Sequence, residues 1–307
     1  MKTKHIPVLL KETIENLNIK PSGTYIDATL GGGGHSLKIL TRLEKTKNQK
    51  SKMIVIDHDR EAIQRFIGEL GVRGFVELSK LHFKKENIEV ILKHSNFDRL
   101  GEILKEEDIT SVDGIIADLG ISTDQLLDSS RGFSFKKGEK LDLRMDDRLK
   151  VTGADLLNAL YEKELTKLFK IYGDIIEAKQ ISAEIIRYRK NRKIEHIDDF
   201  LKIIKKAVNL KRSRNLFARA IQALRIAVNH ELTSLRKFLP QAFESLANGR
   251  TLIIISFHSG EDRIVKNFFY KFTRKGLGVT KLIYPTEDEI NINQKARAAK
   301  MRILNKI

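Results

Sequence analysis

The chain has 307 residues, of which 41% are apolar, so it can bury a large core as one elaborated domain or as two closely joined ones. It contains no cysteine, which excludes disulfides, thiolate metal sites, iron–sulfur clusters and cysteine nucleophiles. Its formal net charge of +17 favours a polyanionic partner, because basic side chains that neutralise phosphates release condensed counterions.

The first residues, MKTKHIPVLLKE, hold an apolar run that ends at Lys11 and is too short for the core of a signal peptide. No later stretch approaches the length of a membrane span. We therefore expect a cytoplasmic protein without membrane attachment. Residues 7–18 have apolar positions at helical spacing, and Pro7 suits a first helical turn.

Short apolar runs then alternate with helix-like segments as far as Gly120. The predicted strands are TYIDATL (24–30), MIVIDHD (53–59), IEVILKHSNF (88–97) and VDGIIADLG (112–120), and the predicted helices cover 36–43, 61–70 and 100–107. This alternation is typical of a parallel sheet with helices on both faces, which is a doubly wound α/β fold. Ligands of such folds bind at the carboxyl ends of the strands.

After Gly120 the strand pattern stops, and a polar loop over 122–147 leads into segments with helical periodicity. One long amphipathic helix is predicted over 216–239, and a strand returns at TLIIISFHS (251–259) after the turn NGR. The apolar stripe of that helix consists of Phe217, Ile221, Leu224, Val228, Leu232 and Leu235. Because the returning strand needs a sheet to join, we expect an α/β domain (1–128 and 216–307) interrupted by a loop and helical domain (129–215).

Basic residues are concentrated between Arg187 and Arg214, where eleven of them face only three acidic residues. A lysine-rich solvated surface would also give a high charge, but such clustering favours a nucleic acid as the partner.

Four consecutive glycines, in DATLGGGGHS, follow the first predicted strand. A phosphate-binding P-loop would need a Gly-Lys pair, which the chain lacks, and the dinucleotide pattern GxGxxG is completed neither from Gly31 nor from Gly32. A nicotinamide cofactor is thus disfavoured but stays open. Asp57, at the end of the second strand, could accept hydrogen bonds from ribose hydroxyls, and the whole arrangement suits S-adenosylmethionine, which has a ribose but no pyrophosphate.

Segments in chain order from His5 to Arg302 resemble the successive signatures of the MraW family of bacterial 16S rRNA cytosine-N4 methyltransferases. These are HIPVLLKE, DATLGGGGHS, DHD, DLGIS, RGFSF, LDLRMD, QALRIAVN, ISFHSGEDRIVK and KARAAKMR. The resemblance implies a Rossmann-like class I methyltransferase fold with a helical insertion, S-adenosyl-L-methionine as cofactor, and 16S rRNA in the decoding region of the 30S subunit as substrate. Three features depart from the family pattern: Gly260 in place of Leu, Ile221 in place of Phe, and NQKARAAK in place of NPRARSAK.

Carried over residue by residue, the resemblance implies a cofactor site formed by Gly33, Gly34, His35, Asp57, Phe97, Asp118 and Gln125. Gly33, Gly34 and His35 would line the methionine and ribose portions, and Phe97 would pack near the adenine. Taken alone, Phe97 is better explained as a core residue and His35 as a polar residue at a helix start, so both assignments depend on the resemblance. Asp57 and Asp118 have independent support, since both are acids at strand carboxyl ends.

The chemistry of the methyl acceptor can be narrowed from the residues alone. Methylation at carbon 5 of a pyrimidine normally uses a thiolate, which this chain lacks, so a heteroatom is the expected target. A cytosine amine is a weak nucleophile that must be aligned and must donate a hydrogen bond to an acceptor. Asp118 and Ser122, in ADLGIS, are the catalytic candidates for that acceptor.

A target base must leave its stack to be methylated, and aromatic or guanidinium groups commonly receive it. The candidate substrate-binding residues are Arg131, Phe133, Phe135, Asp142, Arg144, Asp146 and His258. The loop that carries the two phenylalanines could instead seal a domain junction, and His258 could be a structural hydrogen bonder. No HExxH pair occurs among the eight histidines, so we expect no metal.

Two other functions stay open from the sequence. One is a nicotinamide-dependent oxidoreductase, which the incomplete glycine pattern disfavours. The other is a basic RNA-binding or assembly factor with a vestigial cofactor pocket, which would bind cofactor without transferring methyl groups. The sequence leaves the oligomeric state open, a homodimer included.

Overall fold

The computed structural model of the chain describes residues 6–45, 49–122, 125–126, 130–134, 136, 138–208 and 210–307, with 210–214 described as backbone only. It divides into two compact units. The α/β unit comprises Met1–Thr123 and Leu232–Ile307, and the helical unit comprises Asp124–Glu231.

The first part of the α/β unit contains α1 (Leu10–Leu17), β1 (Thr24–Asp27), α2 (Gly34–Leu43), β2 (Ser51–Asp57), α3 (Arg60–Val72), β3 (Val76–Ser79), β4 (His82–Lys85), β5 (Ile88–His94), a 3-10 turn (Phe97–Arg99), α4 (Leu100–Glu106) and β6 (Val112–Asp118). The helices α5 (Gly153–Ala159), α6 (Glu162–Gly173), α7 (Ala178–Arg189), α8 (Ile197–Ala207) and α9 (Leu210–Val228) follow. The chain ends with α10 (Glu231–Ser245), β7 (Leu246–Ser256), α11 (Ser259–Arg274), β8 (Gly278–Ile283), α12 (Glu287–Ile292), a 3-10 turn (Gln294–Ala298) and β9 (Lys300–Lys306).

One sheet runs through the α/β unit in the order β3-β4-β5-β2-β1-β6-β7-β9-β8. The five central strands, from β5 to β7, pair in parallel, whereas the pairs at both edges are antiparallel. The chain proceeds from β1 to β2 on one side and later places β6 on the other side of β1. The switch point, where ligands of doubly wound folds bind, therefore lies at the carboxyl ends of β1 and β6.

Two apolar cores cover the two faces of this sheet, because successive side chains of a strand point to opposite faces. In β2, Met53 and Val55 belong to the core under α1, α2 and α3. Ile54 and Ile56 belong to the core under α4, α10 and α11. The predicted parallel sheet with helices on both faces is confirmed.

Four strands at the sheet edges were not predicted: the β3–β4 hairpin and the C-terminal pair β8 and β9. Every residue of β3 is exposed, as are most of those in β8, so neither strand has the apolar run that marks a buried strand. Their places are set by pairing with β4 and β9, which the local sequence does not reveal.

The helical unit stands in the chain between the two parts of the α/β unit. In its described part, the only β pairing is an isolated bridge between Lys140 and His196. Its core includes Phe169 and Phe200, whose ring centroids lie 6.1 Å apart, and Phe217, 5.8 Å from Phe200. The unit ends at Glu231, whereas the predicted boundary at 215/216 falls inside α9.

The prediction of one helix over 216–239 is wrong, because α9 ends at Val228 and α10 begins at Glu231. Between them, His230 adopts a left-handed backbone conformation with φ 54°, which no continuous helix allows. All six apolar residues of the predicted stripe are nevertheless buried. Among the described residues, no helix combines the length and apolar character needed to cross a membrane.

Asp262 on α11 connects the segments ISFHSGEDRIVK and KARAAKMR, because it pairs with Arg302 and Lys300 on β9. Arg302 Nε lies 2.6 Å and Lys300 Nζ 3.4 Å from its carboxylate oxygens. Burial alone would raise the pKa of Asp262, but the hydrogen bond and charge of Arg302 lower it below its ordinary value. The stabilisation is therefore present above about pH 4 and is lost as the pH falls and the carboxylate is protonated.

We expect Asp262→Ala to lower the free energy of unfolding by about 3 kcal/mol at pH 7, since it leaves two partly buried cations unpaired. Urea unfolding would measure this. Glu102→Ala, which breaks the exposed pair with Arg99, serves as the control and should change little. Equal effects of the two substitutions would contradict a structural role for Asp262.

Candidate cofactor and catalytic site

The glycine turn after β1 is fixed by hydrogen bonds to both neighbouring strands. The amide of Ala28 donates to the carbonyl of Ile116 in β6 at 2.8 Å, and the amide of Leu30 donates to Ile56 in β2 at 3.0 Å. The hydroxyl of Thr29 accepts a hydrogen bond from the amide of Asp118 at 2.6 Å. The turn therefore lies between the ends of β2 and β6, at the switch point of the sheet.

Asp57, the predicted ribose acid, is buried against this turn. Its carboxylate accepts hydrogen bonds from the amides of Gly31 and Asp59, each at 2.8 Å. Burial raises the pKa of Asp57. Each carboxylate oxygen has two acceptor sites, and one amide uses only one of them, so the fixed carboxylate can still accept hydrogen bonds from a diol.

The glycines of the turn serve different purposes. A Cβ on Gly33 (φ +77°) would lie 2.9 Å from the ring of Phe66, and a Cβ on Gly34 would lie 2.0 Å from Pro7. These two glycines are therefore required by packing against α3 and the N-terminal segment. Gly31 (φ +51°) differs, because the nearest atom to its Cβ would be Ser122 Cβ at 3.5 Å. A Cβ on Gly31 would thus make only an ordinary contact, and the predicted roles of Gly33 and Gly34 beside the cofactor stay predictions.

His35 and Asp118 meet at the centre of the site. His35 Nδ1 is 3.7 Å from Asp118 Oδ2, and His35 Nε2 is 3.1 Å from the carbonyl of Val8. Burial, together with the charges of Asp27 and Glu261, raises the pKa of Asp118 well above its ordinary value. In the described part of the chain, no hydrogen-bond partner reaches the buried Oδ1 of Asp118. A buried carboxyl oxygen in this state is suited to a donor from a ligand.

Asp27, at the end of β1, is a further buried acid that the sequence reasoning missed. It accepts hydrogen bonds from Ser36 Oγ at 2.6 Å and from the amide of Thr29 at 3.1 Å. Burial raises its pKa to about 7, although the Ser36 hydrogen bond opposes this shift. Asp27 stands at the carboxyl end of a strand, as Asp57 and Asp118 do, so the same sequence pattern indicates it.

The remaining cofactor candidates lie in different places. Phe97 follows β5 at the same sheet edge as Asp57, and its ring packs edge-on against Phe238 with centroids 5.1 Å apart. This contact gives Phe97 a core role, and its predicted place near an adenine stays a prediction. Ser122 is half-buried in the α/β unit, whereas Gln125 is buried and belongs to the helical unit.

Most of the predicted substrate-binding residues belong to the helical unit and are held by contacts within their own loop. Arg144 forms a two-pronged pair with Asp142, both distances being 2.7 Å, and donates to the carbonyl of Leu149. Asp146 pairs with Arg148 in the same way. These arginine and aspartate side chains therefore stabilise their own loop, and their predicted contacts with the substrate stay predictions.

The RGFSF segment holds two phenylalanines, of which Phe133 lies among the described residues. Phe133 is only 2% exposed, which gives it a packing role, and its predicted contact with the substrate stays a prediction. Arg131 lies over the Phe133 ring, 5.6 Å from its centroid, and donates to the carbonyl of Met145. Phe135 lies outside the described residues.

His258 caps the N-terminus of α11, which supports its structural interpretation. Its Nδ1 accepts hydrogen bonds from the amides of Gly260 at 3.2 Å and Glu261 at 3.4 Å. A Cβ on Gly260 would lie 3.1 Å from the His258 ring, so the glycine that departs from the family pattern fits closely under the cap. The buried Glu261 completes the cap by accepting from the amide of Phe257.

The fold and this site together define an α/β protein of the Rossmann-like, class I methyltransferase type. The sequence profile of the MraW methylase family matches residues 2–307. The chain belongs to this family, and the resemblance inferred from its motifs is confirmed.

Individual relatives match along nearly their whole lengths. The chain is 38% identical to the ribosomal RNA small subunit methyltransferase H of Bacteroides fragilis (strain YCH46), over 99% of this chain and 98% of the relative. It is 37% identical to the enzyme of the same name from Clostridioides difficile (strain 630), over the full length of both. Among solved structures, an rRNA methylase from Streptococcus thermophilus matches with a TM-score of 0.45 and 11% identity, over 100% of this chain and 99% of that one.

The raised pKa of Asp27 predicts a pH dependence of stability. Between about pH 4 and pH 7 the unfolded chain releases a proton that the folded chain keeps, so this residue makes stability fall as the pH rises. Asp27→Asn keeps an oxygen acceptor for Ser36 but removes the ionisation. We expect the variant to gain about 2 kcal/mol relative to the wild type between pH 5 and pH 7, measured by urea unfolding. Parallel stability curves over that range would contradict the assignment.

Proposed function

We propose that this protein transfers a methyl group from S-adenosylmethionine to rRNA of the small ribosomal subunit, and that the acceptor is the N4 amine of a cytosine in the decoding region of 16S rRNA. The carrying observation is the buried Oδ1 of Asp118, which has no hydrogen-bond partner among the described residues and lies beside the glycine turn. Membership of the MraW methylase family supports the same reaction type.

The residues of the switch point suit this cofactor. The carboxylate of Asp57, which the amide of Gly31 holds in place, would accept hydrogen bonds from the ribose hydroxyls. The nearby acids Asp27 and Asp118 favour a cationic ligand, because a positive charge would stabilise their ionised forms, which burial opposes. S-adenosylmethionine supplies an electrophilic methyl group on a positively charged sulfur, so its charge matches this surrounding.

Asp118 is the proposed acceptor for the amine proton. The lone pair of a cytosine amine is delocalised into the ring, and a hydrogen bond from the amine to a carboxylate returns electron density to the nitrogen. The amine must lose one proton when the new N–C bond forms, and the ionised form of a carboxyl with a raised pKa takes up a proton more readily than an ordinary aspartate does. His35 Nδ1 lies 3.7 Å from the other carboxyl oxygen of Asp118, Oδ2.

The decisive experiment is mass spectrometry of 16S rRNA nucleosides from cells with and without this gene. We expect N4-methylated cytidine to be lost at one position and restored by the wild-type gene. Assays of the purified protein on naked 16S rRNA and on assembled 30S subunits, at cytoplasmic ionic strength, would identify which form is the substrate. An unchanged nucleoside profile would refute the proposed specificity.

Asp118→Asn tests the acceptor, because it keeps the shape of the side chain but removes its charge. We expect the single-turnover rate of methyl transfer to fall on the order of 10²-fold at saturating S-adenosylmethionine. Ser122→Ala is the paired variant and should slow transfer if its hydroxyl is the acceptor instead. Near-normal rates for both variants at saturation would exclude this loop as the source of the acceptor.

The basic run between Arg187 and Arg214 is the proposed RNA contact of the helical unit, and its members are not equivalent. Arg189 donates to the carbonyls of Leu157 and Leu160 at the end of α5, and Arg187 pairs with the buried Glu184. In contrast, Lys190, Arg192 and Lys193 are exposed.

Replacing Lys190, Arg192 and Lys193 together with Gln should therefore weaken RNA binding and reduce the log–log salt dependence by about 2, at roughly 0.7 per phosphate contact on a single strand. Arg189→Gln should instead destabilise the helical unit. Isothermal titration with 16S rRNA at several salt concentrations measures the slope. If the triple variant keeps the wild-type slope, these residues only face solvent.

A further inference from the structure

A second basic surface lies on the α/β unit, far along the chain from the run in the helical unit. Between Arg263 and Thr286 the sequence has six basic residues and no acidic residue. This segment contains most of α11 and all of β8, the outermost strand at one sheet edge. This stretch is therefore a local concentration of positive charge.

The helix α11 presents its charges on one face. Arg263, Lys266, Tyr270 and Arg274 follow one another at spacings of three and four residues, which places them along one side of the helix. All four are exposed, whereas Val265 and Phe269 on the opposite side are buried in the sheet core. The guanidinium of Arg274 lies over the Tyr270 ring, 5.9 Å from its centroid.

The edge strand β8 adds Lys281, and Tyr284 follows directly after the strand; both residues are exposed, and α11 packs next to β8. Tyr284 is 57% exposed, and the neighbouring Leu282 is also exposed. Lysines on an edge strand have another explanation, since they prevent strand pairing between molecules. Exposed tyrosines do not serve that purpose, because they add apolar area to the edge.

The sheet register connects this surface with the candidate site. Asp118 is level with Ile255 in β7, Ile255 with Met301 in β9, and Met301 with Ile283 in β8. Asp118 and Ile283 thus lie in one row across the sheet, about 14 Å apart at the usual spacing between strands. Tyr284 is the next residue after Ile283, so it lies at the same end of the strands as Asp118.

We propose that the α11–β8 surface, formed by Arg263, Lys266, Tyr270, Arg274, Lys281 and Tyr284, binds single-stranded RNA that flanks the methylated nucleotide. Basic side chains bind the phosphates, and an exposed tyrosine gives a stacking surface for an unpaired base, a combination typical of single-strand binding. The inference rests on the proposed function for the identity of the RNA. Charge, exposure and the register of the strands support the surface itself.

The first test measures the salt dependence of binding to 16S rRNA. Replacing Arg263, Lys266 and Lys281 with Gln should reduce the log–log slope by about 2, at roughly 0.7 per phosphate contact. The matched control replaces Lys80, Lys84 and Lys105 with Gln, which removes the same charge from exposed positions elsewhere in the α/β unit. The control should keep the wild-type slope. Equal slopes in the two triple variants would overturn the proposal.

The second test separates stacking from charge. Tyr284→Ala should weaken binding by about tenfold, whereas Tyr284→Phe, which keeps the ring, should bind like the wild type. Tyr161→Ala, at an exposed tyrosine of the helical unit, is the control for loss of an aromatic side chain. S-adenosylmethionine affinity and urea unfolding verify that each variant is folded. If Tyr284→Ala binds like the wild type, the stacking role is refuted.

The outcomes also distinguish this proposal from the proposed function. If the wild type methylates rRNA but both triple variants behave alike, the surface inference fails and the function stands. If the wild type transfers no methyl group while the salt slopes still differ, the surface inference stands and the function fails. A defect seen only with assembled 30S subunits, or a loss of self-association with unchanged RNA binding, would show that a protein covers this surface and would overturn the proposal.

Discussion

The hydrogen bonds between the glycine turn and the ends of β2 and β6 fix the chain around Asp57 and Asp118 in the candidate site. The amides of Ala28 and Leu30 continue the sheet for one step on either side of the turn, and Thr29 fixes the backbone of Asp118. The same turn holds Asp57 through the amide of Gly31. Backbone amides, the Thr29 hydroxyl and the Asp57 carboxylate make these contacts, so the positions of the acids depend on the path of the chain through the turn.

Buried acids collect at this sheet edge in a protein whose net charge is strongly positive. Asp27, Asp57 and Asp118 all have raised pKa values, with burial as the first cause in each. Like charges in a buried site oppose one another unless one is protonated or a cation binds. The molecule therefore combines an acidic interior site, suited to a small cationic cofactor, with basic outer surfaces suited to a polyanion. These opposite polarities are what a methyl transfer from a sulfonium to RNA requires.

The sequence predicts the central sheet because its buried strands have apolar runs and its acids stand at strand ends, as at Asp57 and Asp118. It does not predict β3 and β8, since exposed edge strands carry no such runs and are defined by partners distant in sequence. The break at His230 was missed for a related reason: the apolar stripe continues through it, although the backbone does not. Periodicity records which residues are buried and not whether the helix that carries them is continuous.

The site shows the same limit for individual residues. Gly33 and Gly34 stand in a signature that indicates a cofactor, yet the atoms that exclude a Cβ there belong to Phe66 and Pro7. A conserved-looking motif can therefore combine residues that contact a ligand with residues that only allow the turn to pack. Phe133, buried within the helical unit, is a second case. Composition and motif order identify the reaction class, whereas the division of a motif between binding and packing depends on contacts with residues far away in the chain, which only the folded structure supplies.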